Sequence, residues 1–478
     1  MKRYLKLFGF LLVLGIFMMG QTACSTCSGV SAEDIINPAN IYYVSPAGNN
    51  SNPGTLDKPW ATPGYGSRQL KPGDTLIILG GRYILSQYDD DIIIPQHSGN
   101  PNAWITIKGE EGNRPVLAGR DNLLTAIDIS GKSYIRLENL EITSDNGAQF
   151  RDGIEALGES ISNIIIKDVY IHHMDEFGIN IKDVNGLQII DSRITHCGFG
   201  AIGGPAGDEG GWRNVMILRC NLSYSGHYYQ GTPGPGPYDR PDGFGIEESD
   251  GPVEIAYTIA EHNRGDGLDS KSANTYIHHC IVANNSCDGI KLWGNNSKLE
   301  NTLIYGRGDG DTAETPWSPI VISTETSNSN FKIINVTVDD FAGGNYLMHI
   351  QYDYQSTPIN LTLRNNIFRG IGESSPIFIS SGTRLIADHN LFYTPKSDFV
   401  LDYGGRIYTA SNINSLGSGN LYGDPLFVSP AFGTTGDYHL KSGSPAIDKG
   451  SSVDAPLDDL DGNPRPQGTG FDIGAYER

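Results

Sequence analysis

Short apolar runs recur along most of the chain, each bounded by Gly, Asn, Asp or Ser. Strand-like pieces run Tyr134 to Thr143, Asn163 to His172, Leu187 to Cys197 and Asn214 to Tyr224. Others run Val253 to Asn263, Tyr276 to Asn285, Lys298 to Tyr305, Phe331 to Val338, Leu361 to Phe368 and Leu385 to Tyr393. In the most regular part Ile255, Ile277 and Leu299 are 22 residues apart, as are Ile259, Ile281 and Leu303. Within each piece apolar and polar residues alternate, which sends one set inward and the other outward. A fixed period of this length marks stacked coils in which equivalent positions form columns. The pattern predicts an all-β fold, a right-handed parallel β-helix solenoid with loop insertions and a C-terminal cap, and it predicts Ile259, Ile281 and Leu303 as an inward column. Asn263 and Asn285 share the step, and an asparagine ladder at a coil turn is a scaffold device.

The same period organises a candidate site. Asp-Gly-apolar occurs at Asp242-Gly243-Phe244, Asp266-Gly267-Leu268 and Asp288-Gly289-Ile290. In a stack, Asp242, Asp266 and Asp288 share one column, and Gly245, Asp269 and Lys291 another. Each Asp-Gly is also an ordinary turn former, and Asp288 reads better as a turn residue than as a ligand. Rungs of a parallel sheet lie about 4.8 Å apart, so outward carboxylates on neighbouring coils can converge on one calcium ion, which takes hard oxygen ligands. A cation beside Lys291 disfavours its ammonium form. Metal, carboxylates and an uncharged amine suit β-elimination from a uronic acid, in which the amine takes the C5 proton and the C4 substituent leaves.

Two insertions interrupt the period, SYSGHYYQGTPGPGPYDRP at 223–241 and GRGDGDTAETPWSP at 306–319. Solenoid insertions become loops on one face, often the binding face. They bring Tyr224, Tyr228, Tyr229, Tyr238 and Trp317, which suit sugar rings or pack the loops down. Asp309 and Asp311 are candidates for a second ion. Lys271 is the rival to Lys291 as base, and Lys271, Trp293 and Tyr229 are candidate substrate contacts. The histidines at 172, 173, 196, 262, 278 and 279 read as ladder or surface residues.

The net charge of −21 leaves no basic stripe for nucleic acid. It also makes an acidic substrate awkward unless a bound cation inverts the local field. Residues 1–24 read as an export signal: Lys2, Arg3 and Lys6, then an apolar stretch from Leu7 to Gly20, then Thr22-Ala23-Cys24. The stretch is short for a permanent span, and the residues before Cys24 resemble a bacterial lipoprotein processing site. The expectation is a protein secreted, or lipid-anchored at the outer membrane facing periplasm or cell surface. Residues 25–40 form a tether and 41–478 the catalytic domain. Cys197, Cys220, Cys280 and Cys287 lack a zinc spacing and read as buried thiols.

Three stretches resemble known proteins. Residues 41–87, opening YYVSPAGNNSNPGTLDKPWATP, resemble the first segment of secreted bacterial β-helix proteins that act on polysaccharides. From about Tyr422 the tail resembles the closing segment of varied bacterial β-helix enzymes. It reads as a cap for the open end of the solenoid, and Asp458 to Gly462 lacks the spacing of a calcium loop. RGDGLDSK at 264–271, with DGIKLWG one coil later at 288–294, resembles polysaccharide lyase family 9. That family comprises calcium-dependent pectate lyases and rhamnogalacturonan lyases on a parallel β-helix. The resemblance implies Lys291 as base, in Gly289-Ile290-Lys291-Leu292. It implies Asp266 and Asp269 as calcium ligands, with Asp242, or Glu247 in reserve, from the preceding coil. Gly265 stands where the family's cluster begins with a further aspartate. The expected partner is an acidic plant cell-wall polysaccharide, homogalacturonan or rhamnogalacturonan I, acted on by a monomer. The competing readings are a β-helix glycoside hydrolase and a non-catalytic surface polysaccharide-binding protein. The motifs that pectin hydrolases of this shape share are absent.

Overall fold

Each coil contributes one strand to each of three long parallel sheets. One coil runs Val253–Ala256, Ile259–Glu261 and Leu268–Ser272, and the next Thr275–His278, Ile281–Ala283 and Ile290–Leu292. The first sheet has 13 strands, from Ile41–Val44 to Thr383–Asp388, and the second has 13, from Arg82–Leu85 to Leu421–Tyr422. The third has 12, from Leu123–Asp128 to a closing antiparallel hairpin of Phe399–Tyr403 with Arg406–Thr409. The fold is all-β, a parallel β-helix. This computed structural model describes residues 40–147, 150–305, 318–340, 346–370, 376–431 and 436–478. The export signal, nearly all of the tether, Asp309, Asp311 and Trp317 lie outside the described residues. Among the described residues no helix is long and apolar enough to cross a membrane.

The repeat explains the core. Ile255 pairs with Ile277 and Ile277 with Leu299, and all three are fully buried. Between the first and second strands of each coil one residue takes a positive φ. Among these are Tyr257, His279, Asn301 and Asn335, and Asn accepts this left-handed region more readily than most residues. That corner breaks the alternation, so the parity of the first strand does not carry into the second. Ile259, Ile281 and Leu303 keep their expected register, but the inward positions are Ala260, Val282 and Ile304. Ile259 and Ile281 are only half-buried. The expected inward column is therefore an outward one.

The tail explains why an outward column is apolar. Phe427, Tyr438, Leu440, Ala446, Ile473, Ala475 and Tyr476 pack on Ala283, Leu303, Tyr305, Ile367 and Leu391 of the second sheet. Ala475 N donates to Thr337 Oγ1 at 2.9 Å and Gly474 N to Asn365 O at 2.7 Å. Arg465 and Glu477, both fully buried, pair at 2.6 Å. The C-terminal segment thus packs along the second sheet. Asp459 accepts the backbone N–H groups of Asp461, Asn463 and Glu477, so this acidic run is a turn.

Polar ladders hold the second corner. Asn263 Nδ2 donates to Asn285 Oδ1 at 2.9 Å and to Leu222 O at 3.1 Å, while its Oδ1 accepts Ser225 N at 3.0 Å. His173, His196, Tyr224 and His262 stack at 5.3, 4.9 and 5.0 Å between ring centres. Among the described residues Cys197, Cys220, Cys280 and Cys287 are buried and unpaired. Asn285→Leu removes the acceptor shared by the Asn263 backbone and side-chain N–H groups and should destabilise the protein by about 2 kcal/mol. The check is the denaturation midpoint by circular dichroism, and an unchanged midpoint would remove the ladder from the scaffold.

Candidate active site

The Asp-Gly repeats close the corner between the second and third sheets. Their glycines are required by close packing. A Cβ on Gly243 would lie 2.6 Å from Gly267 O, one on Gly267 2.6 Å from Gly289 O, and one on Gly289 2.5 Å from Pro319 O. The aspartates form a second ladder. Asp242 Oδ1 accepts Asp266 N at 2.6 Å, Asp266 Oδ1 accepts Asp288 N at 2.8 Å, and Asp288 Oδ1 accepts Ser318 N at 2.9 Å. One oxygen of each carboxylate thus caps the next rung, leaving the other to face outward.

Gly245, Asp269 and Lys291 are consecutive partners on the third sheet, with Leu268, Ser270, Ile290 and Leu292 buried on either side. Asp269 and Lys291 therefore point out of the barrel into a cleft of about 820 Å³. Lys291 Nζ lies 3.2 Å from Asp266 Oδ2, 3.6 Å from Asp288 Oδ2 and 3.9 Å from Asp269 Oδ2. It also sits 5.5 Å from the centre of the Trp293 ring. Trp293 Nε1 donates to Asp269 Oδ1 at 2.9 Å, fixing that carboxylate. Oxygens of Asp242, Asp266 and Asp269 all lie within 4.8 Å of one another.

Two expected contributors stand elsewhere. Glu247 is outside this carboxylate group and pairs with Lys271 at 2.5 Å. Tyr229 stacks behind Phe199, ring centres 6.2 Å apart, while Tyr238 is the loop tyrosine that lines the cleft. The departure at Gly265 has a steric cause. A Cβ there would lie 2.3 Å from Asp242 Oδ1, and 2.7 and 2.8 Å from the carbonyl carbons of Arg240 and Pro241. The returning end of the 223–241 insertion fills the space an aspartate side chain needs.

That insertion brings Arg240 into the cleft, a residue the sequence pattern did not single out. Burial works against its charge, but Asp266, Asp288 and Asp242 together hold it more firmly protonated. Phe177, Phe199, His349 and Tyr352 also line the cleft without having been expected. His349 follows Lys291 and Val321 in one outward column, hidden in the sequence by unequal coil lengths. Burial lowers its pKa to about 4.

The cluster is crowded with negative charge. Burial, then repulsion from Asp266 and Asp269, pushes Asp242 well above the carboxylate range. Burial raises Asp269 to about 6 despite Lys291. Burial and Asp266 raise Asp288 to about 7. Burial would free Lys291 of its proton, but Asp266, Asp269 and Asp288 outweigh it and hold the ammonium.

Residues 42–310 match the family model described as "Pel9A-like, right handed beta helix region", and residues 207–415 match a general "Right handed beta helix region". The fold is thus that of the right-handed parallel β-helix proteins. Within that class the chain belongs to the Pel9A-like right-handed β-helix family. Of solved structures, it resembles XylC in complex with xylose with a TM-score of 0.54 and 12% identity, over 92% of this chain and 99% of that one. It also resembles the pectate lyase Pel9A, with a TM-score of 0.49 and 16% identity, over 93% and 98%. A stretch of 143 residues is 29% identical to the uncharacterized protein YwoF of Bacillus subtilis (strain 168) and spans 28% of each chain.

The raised carboxylates give a pH dependence. Free aspartates ionise near pH 4, whereas Asp269 and Asp288 hold protons to about 6 and 7 in the fold. Between those limits the folded state binds more protons than the unfolded one, so these groups cost stability as pH rises. In chelator, Asp288→Asn should therefore gain on the wild type in melting temperature from pH 4.5 to pH 7.5. A difference that stays flat or falls would contradict the raised pKa.

Proposed function

We propose that this chain is an exported polysaccharide lyase that cleaves a pectic uronic-acid polymer by calcium-assisted β-elimination. The observation that carries the reading is Lys291. Its amine sits at the floor of an open cleft, within 3.9 Å of three carboxylates held on adjacent rungs.

The donor set fits calcium. Asp242, Asp266 and Asp269 offer only hard oxygens, converge within 4.8 Å, and carry more negative charge than Lys291 and Arg240 balance. Asp242, Asp266 and Asp269 would hold the ion, which when bound would neutralise the sugar carboxylate, compensate the carboxylates that keep Lys291 protonated, and offset the charge that develops at C5. The ladder contacts of Asp242 and Asp266 keep both from rotating. Trp293 holds Asp269 in the same way. With those carboxylates compensated, Lys291 gives up its proton; the neutral Nζ then takes the C5 proton, the C5–H electron pair forms the C4–C5 double bond, and the C4–O bond breaks with its electrons on the departing sugar oxygen, which picks up a proton from water. In this reading Lys271, paired with Glu247, meets the substrate's acid group and Lys291 is the base. In this reading the N-terminal signal exports the protein, either secreted or lipid-anchored at Cys24, and it works as a monomer.

The test is a panel of pectic polymers incubated with wild type and Lys291→Ala, with and without a calcium chelator. The ultraviolet absorbance of the new double bond is the readout. Loss of the base should lower turnover by about 10²–10⁴-fold with polymer binding retained. Chelation should abolish turnover and added calcium restore it. Full activity in Lys291→Ala would remove the lysine as base, and new reducing ends without a double bond would point to hydrolysis.

A further inference from the structure

The cleft holds one cation to which the elimination gives no step. Among the described lining residues the cations are Arg240, Lys271 and Lys291. Lys291 stands among the carboxylates, and Lys271 is paired with Glu247. Arg240 comes from outside the repeat, at the returning end of the 223–241 insertion, and that insertion is fastened at several points. Tyr228 meets His173 edge-on at 4.9 Å, Gln230 N donates to Asp175 Oδ1 at 2.9 Å, and Tyr238 stacks on Phe199 with ring centres 5.0 Å apart. Gly265 N donates to Pro241 O at 3.0 Å, and a Cβ on Gly265 would lie 2.7 Å from the carbonyl carbon of Arg240. The backbone that carries Arg240 is therefore locked onto the rung that carries Asp266.

A guanidinium stays charged in a protein and offers a fork of donors that fits a carboxylate. Asp266, Asp288 and Asp242 act on Arg240 electrostatically, whereas Lys271 acts on Asp269. The two cations thus stand by different aspartates. The charge of Arg240 has two consequences of opposite sign. It draws on Asp242 and Asp266, two of the three carboxylates that converge to fit a cation, and so opposes an ion held there. It also puts a positive charge in the wall of a cleft that an acidic chain must enter. An ion at the cluster would loosen the aspartates' hold on the guanidinium and leave its fork to a carboxylate of the chain.

We infer that Arg240 is a polymer-binding residue that opposes the metal ion: its guanidinium takes a carboxylate of the acidic chain and, before the chain binds, competes with calcium for Asp242 and Asp266. The inference rests on reading the cluster as the calcium site of a lyase. A residue that merely propped the site up would support both ligands alike. Arg240 instead makes them interdependent. A bound ion would release the guanidinium to the chain, the chain would relieve the ion of a competitor, and the coupling is the same in both directions.

Calorimetry on the full-length protein reads the two ligands separately. Titrated with calcium chloride alone, Arg240→Gln should bind the ion about ten-fold more tightly than the wild type. The polymer titration uses the Lys291→Ala background, which prevents turnover, at saturating calcium. There Arg240→Gln should bind polygalacturonate or rhamnogalacturonan I, whichever the parent binds, about ten-fold more weakly. Arg240→Lys keeps the charge but not the fork, so it should match the wild type for calcium and fall between the two for the polymer. Both affinities falling together in Arg240→Gln, either one unchanged, or a parent that binds neither polymer would overturn the inference. If Arg240→Gln does not fold, Arg240→Lys decides, and altered calcium affinity or unchanged polymer affinity overturns it. No calcium uptake by the wild type would end the calcium reading and this inference together. Opposite shifts in Arg240→Gln, without any unsaturated product from the wild type, would sink the lyase reading and leave the role of Arg240 standing.

Discussion

Hydrogen bonds between successive backbone rungs govern nearly everything in this molecule. They hold neighbouring coils at about 4.8 Å, and whatever a coil places outward is repeated beside its neighbour at that spacing. Like charges stacked in this way repel, and the raised pKa values of Asp242, Asp269 and Asp288 express burial first and that repulsion after it. The fold tolerates the crowding because each aspartate of the ladder is bound to the next rung. Removing a carboxylate there changes the scaffold as well as the chemistry.

The insertion at 223–241 adds a second constraint. Its returning end presses on Gly265 and closes the position at which a further carboxylate would extend the cluster. The same segment supplies Arg240 and Tyr238 to the cleft. One loop thus exchanges a negative group for a cation on one side of the site and builds an aromatic wall on the other. The site is a local modification of a repeating structure, made where the repeat is interrupted.

Much of this was legible in the sequence because the solenoid converts distance along the chain into position. The 24- and 22-residue steps placed Asp242, Asp266 and Asp288 in one column, and Asp269 next to Lys291. What was not legible depends on contacts without a period. The side chosen by Ile259, Ile281 and Leu303 follows from a corner residue with positive φ, and their apolar character from a tail over a hundred residues away. Arg240, Phe177, Phe199 and His349 enter the cleft from a loop or from coils of unequal length. No spacing rule brings them together. Asp288 shows the limit of choosing between turn and site, since it caps Ser318 with one oxygen and faces Lys291 with the other.

The aspartate ladder has a consequence for ion selectivity. Because Asp242 and Asp266 each spend one oxygen on the backbone, their outward oxygens cannot draw together around a guest without unwinding a rung. A small dication that insists on short octahedral bonds and keeps its own water shell finds no such contraction on offer. A larger, geometrically tolerant ion would meet oxygens lying within 4.8 Å of one another. For an ion held there as proposed, the pitch of the sheet, set by peptide geometry alone, would act as a size filter at the cluster.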